Sequence, residues 1–322
     1  MRASSASNRG RPGSVLVTDV TLREFGQNVP HSHINHFNPE ARIGLARDLM
    51  KAGVTSMEVF SCVSPRAAPA MARELLTAVA RGLGRTHGVD IITLVPNLPG
   101  YRTFLDLGLG PDGLDHILGA FLSAVEAHNL ANLGRTIPET LKEYGKLVGD
   151  AVSRGVRVNG YISGAFGYRT APGREVLKPT AKQVSEYMDR LLQMGARTVI
   201  LSDLQGVADS LETRDFLEKV LEERNGRDVE RMGYHPHHVS GDRAVENSLA
   251  AWDLGIRRFD ASLGGTGGCV TGAPGNQPTE GLVRAFHERG VWTGVDEAAL
   301  VALALRVERE IYRKIPLTRR GT

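Results

Sequence analysis

The stretch Ala181-Lys-Gln-Val-Ser-Glu-Tyr-Met-Asp-Arg-Leu-Leu-Gln-Met-Gly-Ala-Arg-Thr-Val-Ile-Leu-Ser-Asp203 decides the fold. Ala181–Met194 has an amphipathic helical pattern, Gly195 stops it, and an apolar strand runs over Arg197–Leu204. A glycine stop that feeds a buried strand is the signature of an αβ loop. The same unit recurs in both directions along the chain, with Gly53, Gly155 and Gly255 in the place of Gly195. The strand candidates are Val15–Leu22, Ser56–Ser61, Asp90–Asn97, His116–Ser123, Val156–Gly164, Arg197–Leu204, Met232–His237 and Arg258–Gly264. Helical patterns lie between them at Pro39–Ala52, Pro69–Leu83, Pro138–Arg154, Ala181–Met194, Glu212–Glu223, Arg243–Leu254 and Thr279–Arg289, with a brief third crossover at Leu98–Gly108. Strands that each need a crossover form a parallel sheet. An open doubly wound sheet is the alternative; eight strands favour an α/β fold closed as a (β/α)8 TIM barrel.

Composition agrees with one such domain over 14–294. The chain has 322 residues, 41% hydrophobic and 23% charged, as in an ordinary globular protein. Its 39 basic and 36 acidic residues leave a net charge of +3, too balanced to argue for nucleic acid or an anionic membrane. No apolar run reaches the roughly 18 residues that span a bilayer. Two cysteines, Cys62 and Cys269, build no disulfide framework, which favours a reducing compartment. Residues 1–13 are polar, free of acid and without an amphipathic pattern; they read as a disordered tail rather than a transit peptide, and a cytoplasmic location follows. Val295–Arg313 forms a further long amphipathic helix in a C-terminal extension, 295–322, which caps the barrel or joins a partner subunit.

In a barrel of this kind the chemistry lies at the carboxyl ends of the strands and in the loops that follow. The unusual polar residues sort there: Arg23, Glu24, Glu58, Asn97, His128, Tyr161, Asp203, His235, His237 and the run from Cys269 to Asn276. His235 and His237 are two apart on a strand, so both imidazoles project to one side and His238 to the other. Paired imidazoles suit a divalent metal, although solvated histidines at a strand end give the same pattern. Pro236 fits a strand that is ending.

Several motifs carry a family likeness. Asp19-Val-Thr-Leu-Arg-Glu24 resembles the opening motif of the DRE-TIM metallolyases. Gly26-Gln-Asn28, Met57-Glu-Val-Phe-Ser-Cys-Val-Ser-Pro65, Val95-Pro-Asn-Leu-Pro-Gly100, Gly160-Tyr-Ile-Ser163, Ser202-Asp-Leu-Gln-Gly206, Gly264-Gly-Thr-Gly-Gly-Cys269 and Gly272-Ala-Pro-Gly-Asn276 resemble, within that superfamily, the 3-hydroxy-3-methylglutaryl-CoA lyases. The likeness runs from about Val15 to about Gly294.

The resemblance implies a carbon–carbon lyase with a divalent cofactor, Mg²⁺ or Mn²⁺, held by Glu24, His235, His237 and Asn276. It implies that Arg23 stabilises the departing enolate, that Asp203 accepts the substrate hydroxyl proton, that Glu58 orients Arg23 or joins the proton transfer, and that Cys269 protonates the enolate carbon. Gln27, Asn97, His128 and Tyr161, with Asn129 and Asn132, would line the substrate pocket. Each has an ordinary alternative: an ion pair for Arg23, Glu24 and Glu58, a helix N-cap for Asp203, a turn for Asn276, a buried small residue for Cys269, a loop hydrogen bond for the pocket residues. The implied substrate is an acyl-CoA or a related 3-hydroxy acid, cleaved by a retro-aldol or retro-Claisen route to acetoacetate and acetyl-CoA. The implied assembly is a homodimer.

The chain departs from the lyase pattern at Glu24, where lyases carry Asp, and at Asn159 and Pro99, where they carry basic residues. Arg66, Arg102 and Arg135 are the cations left for a CoA tail. Glu24 favours a condensing relative that joins acetyl-CoA to a 2-oxo acid, and Cys269 opposes it. A non-catalytic barrel that binds a small acid is the remaining class.

Overall fold

Eight strands belong to the barrel: β1 Leu16–Asp19, β2 Ser56–Ser61, β3 Asp90–Leu94, β4 Ile117–Ser123, β5 Val158–Ser163, β6 Thr198–Asp203, β7 Met232–Pro236 and β8 Arg258–Ala261. In the computed structural model, which describes residues 13–238, 242–267 and 275–315, they close into one barrel. Each strand pairs parallel with its neighbours in sequence, and β1 pairs with β8 to complete the ring. This is the expected (β/α)8 TIM barrel. Helices Pro39–Lys51, Arg73–Leu83, Leu98–Asp106, Ile137–Ser153, Ala181–Met194, Ser210–Glu223, Arg243–Asp253 and Thr279–Glu288 cover it. The expected glycine stops hold: Gly53, Gly155, Gly195 and Gly255 all have positive φ. At Gly195 (φ 109°) the amide donates to the carbonyls of Leu191 and Leu192 and turns the chain into β6, a conformation costly for any residue with a Cβ.

Alternation along each strand divides the apolar residues into two unequal cores. On β6, Val199 and Leu201 face the helices and join the main core between barrel and helices. Ile200 faces inward, where it packs only with Leu94, Tyr161 and Phe121. The interior is therefore thinly filled with apolar groups, and space remains at both mouths of the barrel. Gly119 on β4 belongs to this arrangement: a Cβ there would stand 2.5 Å from Leu94 and 3.1 Å from the Tyr161 ring.

Three departures from the sequence reading bear on the site. The first strand stops at Asp19 rather than at Leu22, and a helix begins at Thr21 and runs to Asn28, so Arg23 and Glu24 ride on its first turn rather than just past a strand end. The cause is Asp19, fully buried, whose Oδ1 accepts from the Thr21 amide (3.0 Å) while its Oδ2 accepts from the Thr279 hydroxyl (2.7 Å). A helix over Glu126–Leu133 and a small antiparallel pair, Tyr168–Arg169 with Val176–Leu177, were not expected; both sit in loops at the carboxyl end. The extra helix, Glu297–Glu310, packs back on the barrel's own shell. Arg306 reaches Asp48 at 2.5 Å, and the Tyr312 ring beyond the helix packs at a tilt 4.7 Å from Phe25, bracing the helix that carries Arg23 and Glu24. Among the described residues, no helix is long and apolar enough to cross a membrane.

Candidate metal centre and active site

At the carboxyl end of the barrel, Glu24, His235 and His237 converge. One ligand atom from each lies within 4.8 Å of the others, and all three residues are buried. The sequence argument for the paired imidazoles holds in detail. β7 ends at Pro236, His237 continues in an isolated bridge to Asn276, and the two Nε2 atoms stand 3.0 Å apart. His238 turns away toward Gly265 and Gly275. Two buried imidazole nitrogens at that distance must share a proton or a cation. A metal with ligands at about 2.1 Å and right angles sets neighbouring ligand atoms about 3 Å apart.

The fit to a dication rests on two further observations. Asn276 donates through Nδ2 to the Thr266 carbonyl at 3.0 Å, while its buried Oδ1 has no hydrogen-bond partner among the described residues. A buried carbonyl oxygen left this way wants a donor or a cation. In addition, three carboxyl groups, Glu24, Glu58 and Asp260, share the cluster with one guanidinium, Arg23, and the two imidazoles. That surplus of buried negative charge suits a divalent ion. Oxygen and imidazole donors together point to Mg²⁺, Mn²⁺, Zn²⁺ or a neighbour in that series.

Asp260 was missed from the sequence. Its Oδ2 lies 3.1 Å from His235 Nδ1, which fixes that nitrogen as the protonated one and leaves Nε2 its lone pair, the usual support of a metal-bound histidine. Burial raises the Asp260 carboxyl to about 7, against the opposing pull of Arg23. Alternation on β8 would have found it, since an acid facing the barrel interior is out of place in Phe259-Asp260-Ala261. Burial likewise keeps His235 neutral by lowering its pKa, against the influence of Glu24.

Arg23 is held between two carboxylates. Its Nε donates to Glu58 at 2.6 Å, its Nη2 stands 2.5 Å from the same carboxylate, and Nη1 pairs with Glu24. Burial alone would weaken the cation, but Glu24 and Glu58 more than offset it and its pKa is raised. Glu58 is fully buried, its pKa raised by desolvation against Arg23, and its Oε1 has no hydrogen-bond partner among the described residues. Gln27 braces the same guanidinium: its Oε1 accepts from Nη1 at 3.2 Å and its Nε2 donates to Ser61 at 3.3 Å.

A cavity of about 330 Å³ opens over this cluster, lined among others by Arg23, Glu24, Gln27, Asn97, His128, Asn132, Tyr161, Ser202 and His235. Of the six expected pocket residues, Gln27, Asn97, His128, Asn132 and Tyr161 reach it. Asn97 does so while its Oδ1 caps the helix Leu98–Asp106 through the Gly100 amide (2.8 Å). Tyr161 faces Glu58 and Asp260, and burial with those charges raises its pKa well above the ordinary phenol value. Asn129 does not line the cavity. Its side chain accepts from Ser123 N and donates to Arg135 O and Thr140 Oγ1, so it builds the loop. A larger cavity, about 530 Å³, opens at the opposite mouth between Asp90, Arg197, Arg231 and Arg257; it touches Tyr161 and Asp260 from below but none of Glu24, His235 and His237.

Asp203 requires a correction. It lies on the parity of β6 that faces the helices, while Ile200 and Ser202 face inward. Both carboxylate oxygens are occupied by backbone amides, Val207 at 2.9 Å and Ala208 at 3.0 Å, so Asp203 holds the loop after β6 and does not meet the cavity. Burial raises it to about 6 in spite of those bonds. Cys62 is buried, and its thiol is pushed up to about 12 by desolvation, as an inert core residue should be. Cys269 lies outside the described residues. Of the cations named for a CoA tail, Arg135 is engaged with Glu143 (2.8 Å) and the Pro96 carbonyl (2.5 Å), whereas Arg66 and Arg102 are exposed.

A parallel barrel with an acid and two histidines converging beside a buried arginine defines a metal-dependent lyase class, and comparison with known proteins agrees. The HMGL-like family model matches residues 14–307. The chain is 32% identical to the (R)-citramalyl-CoA lyase of Chloroflexus aurantiacus, over 94% of this chain and 93% of that one. It is 30% identical to the mitochondrial hydroxymethylglutaryl-CoA lyase of Bos taurus, over 98% and 91%. A solved hydroxymethylglutaryl-CoA lyase from Acinetobacter baumannii, in complex with coenzyme A and 3-methylmalate, superposes with a TM-score of 0.79 at 27% identity, covering 94% of this chain and 93% of that one. The chain belongs to the HMGL-like family of DRE-TIM metallolyases, enzymes that depend on a divalent metal. Within it, the protein is a carbon–carbon lyase like the hydroxymethylglutaryl-CoA lyases.

Proposed function

We propose that the protein cleaves a 3-hydroxy-acyl-CoA of the 3-hydroxy-3-methylglutaryl-CoA type by a retro-Claisen route, releasing acetyl-CoA and a keto acid. The convergence of Glu24, His235 and His237 beside Arg23 carries this reading. These three residues and Asn276 Oδ1 would hold Mg²⁺ or Mn²⁺. When bound, the ion would acidify the substrate's tertiary hydroxyl and polarise a neighbouring carbonyl.

The chain's own groups supply the rest. Arg23, kept charged by its two carboxylates, neutralises the oxygen on which negative charge develops as the carbon–carbon bond breaks. With Asp203 occupied elsewhere, Tyr161 at the cavity wall passes its own phenolic proton to Glu58 behind it as it takes up the hydroxyl proton, Glu58 Oε1 having no hydrogen-bond partner among the described residues. The proton that quenches the enolate carbon is assigned to Cys269 on the family likeness of the loop Gly264–Cys269. The products from the parent substrate are acetoacetate and acetyl-CoA. A homodimer, suggested by the family likeness, belongs to the same proposal and is checked by sedimentation equilibrium.

The test incubates the Mg²⁺- and Mn²⁺-loaded protein with 3-hydroxy-3-methylglutaryl-CoA and, separately, with citramalyl-CoA. Acetoacetate from the first supports the reading as stated, and pyruvate from the second alone moves the substrate to the shorter acid. Turnover only when acetyl-CoA and a 2-oxo acid are supplied together would overturn it in favour of condensation.

A further inference from the structure

His128 is the most conspicuous unpaired polar group in the cavity. It sits in the first turn of the helix Glu126–Leu133, lines the pocket and is 1% exposed. Neither ring nitrogen has a hydrogen-bond partner among the described residues. One face of the ring lies 4.6 Å from Tyr168, which packs with Val125 and Leu204 in a small apolar cluster. Buried polar side chains are nearly always satisfied, so one left open at a cavity wall points to a ligand. In these apolar surroundings the ring is neutral, its pKa lowered by burial to about 4.

A neutral imidazole has one N–H and one lone pair, so its full complement is a group that both accepts and donates. A second carboxylate on the substrate does not meet that need. It only accepts, and among the described residues lining the cavity Arg23 is the single Lys or Arg, already held by Glu24 and Glu58. Charge without a partner beside Val125, Tyr168 and Leu204 is strongly disfavoured.

We propose that His128 forms a subsite for an uncharged donor–acceptor group of the substrate, a secondary amide or a hydroxyl, set apart from the charged centre at Glu24 and His235. The proposal rests on the thioester reading above. Two parts of such a substrate have this chemistry: the amides of the pantetheine arm, or a hydroxyl on the acyl chain.

The experiment measures binding rather than turnover, by calorimetry on the Mn²⁺-loaded protein, with thioesters lacking the cleavable tertiary alcohol: butyryl-CoA, 4-hydroxybutyryl-CoA and S-ethyl thiobutyrate. Wild type is compared with His128→Phe, which keeps the ring and removes both polar atoms, and His128→Gln, which keeps a donor and an acceptor. Loss of an uncharged hydrogen bond predicts about a tenfold weaker affinity for His128→Phe, with most of it restored in His128→Gln. Weakening with both CoA thioesters but not with S-ethyl thiobutyrate assigns the site to the pantetheine amide. Weakening with 4-hydroxybutyryl-CoA alone assigns it to the acyl hydroxyl. Equal affinities of wild type and His128→Phe for all three ligands overturn the subsite and leave the lyase reading standing. Failure of the wild-type protein to bind either CoA thioester overturns the thioester reading and the subsite with it.

Discussion

The two mouths of the barrel hold charge in opposite ways. At the amino end, beside the larger cavity that Asp90 lines, ion pairs are reached by water, such as Arg157 with Asp90 at 2.5 Å and with Asp115 at 3.5 Å, whose side chains are between about a fifth and just over a third exposed. At the carboxyl end Glu24, Arg23, Glu58, His235, His237 and Asp260 are all buried, and acids outnumber the cation. The amino end is arranged for stability and solvation. The carboxyl end is unfavourable until something cationic and something oxygen-rich arrive, as expected of a site whose polar groups are held ready for a ligand. Size alone would have chosen the wrong mouth; desolvated charge chooses the right one.

The sharpest way to break this contrast is at His237. His237→Ala removes one of the four proposed ligands and is expected to lower carbon–carbon cleavage by roughly 10³-fold or more, since the ion supplies several kcal/mol of charge stabilisation. Plasma mass spectrometry of the dialysed protein should find the metal content falling with the activity. Full metal content in the variant would move the centre elsewhere.

Next in size is Asp203, a buried acid at the same end with a different task. Burial lifts its folded pKa from 3.8 to about 6. Between those values the native state binds the proton and the unfolded chain does not. The group's contribution is thus fully present below about pH 4 and is lost as pH rises through 6. The loss amounts to roughly 3 kcal/mol at most. Urea unfolding of wild type against Asp203→Asn should show the wild type losing ground by up to that amount between pH 4 and pH 7. If the difference is flat with pH and the variant is instead catalytically dead with unchanged stability, Asp203 regains the role of proton acceptor.

These residues also show how far the sequence could be read. β2 over Ser56–Ser61, the helix Ala181–Met194 and the paired imidazoles were legible because each depends on local periodicity or a glycine stop. Asp203 was misplaced because position at a strand end was counted without its parity, and parity sends it to the helix side. Arg23 and Glu24 were put just past the end of a strand rather than on a helix because the turn that starts their helix depends on Thr279, 260 residues away from Asp19. Asp260 was passed over although alternation on β8 turns it inward, because its partner His235 is 25 residues distant and is met only across the β7–β8 pair. The helix Glu126–Leu133 is short and was read as a loop.

Asp260 gives the third prediction. Asp260→Asn keeps the shape but replaces a carboxylate behind His235 with a neutral amide that can present either a donor or an acceptor to Nδ1. Loss of such a supporting acid is expected to weaken metal affinity about 10- to 100-fold while leaving the three ligands in place. Titration with Mn²⁺ followed by paramagnetic resonance reads this directly, and an unchanged affinity would reduce Asp260 to a structural partner of the ring.

The smallest effect is expected at the other mouth. Asp90→Asn breaks the 2.5 Å pair with Arg157, but Arg157 keeps Asp115, at 3.5 Å from its side chain and through that residue's carbonyl at 2.9 Å. Water reaches both partners, so the pair is screened by salt and the loss is expected to be below about 1 kcal/mol, shrinking further in 0.5 M salt. Metal content and turnover should remain at wild-type values, because nothing in the Asp90 pair touches Glu24, His235 or His237. A variant that unfolds readily, or that loses metal, would mean the two mouths are coupled through the thin interior at Tyr161 and Asp260, and the division of labour between them would fail.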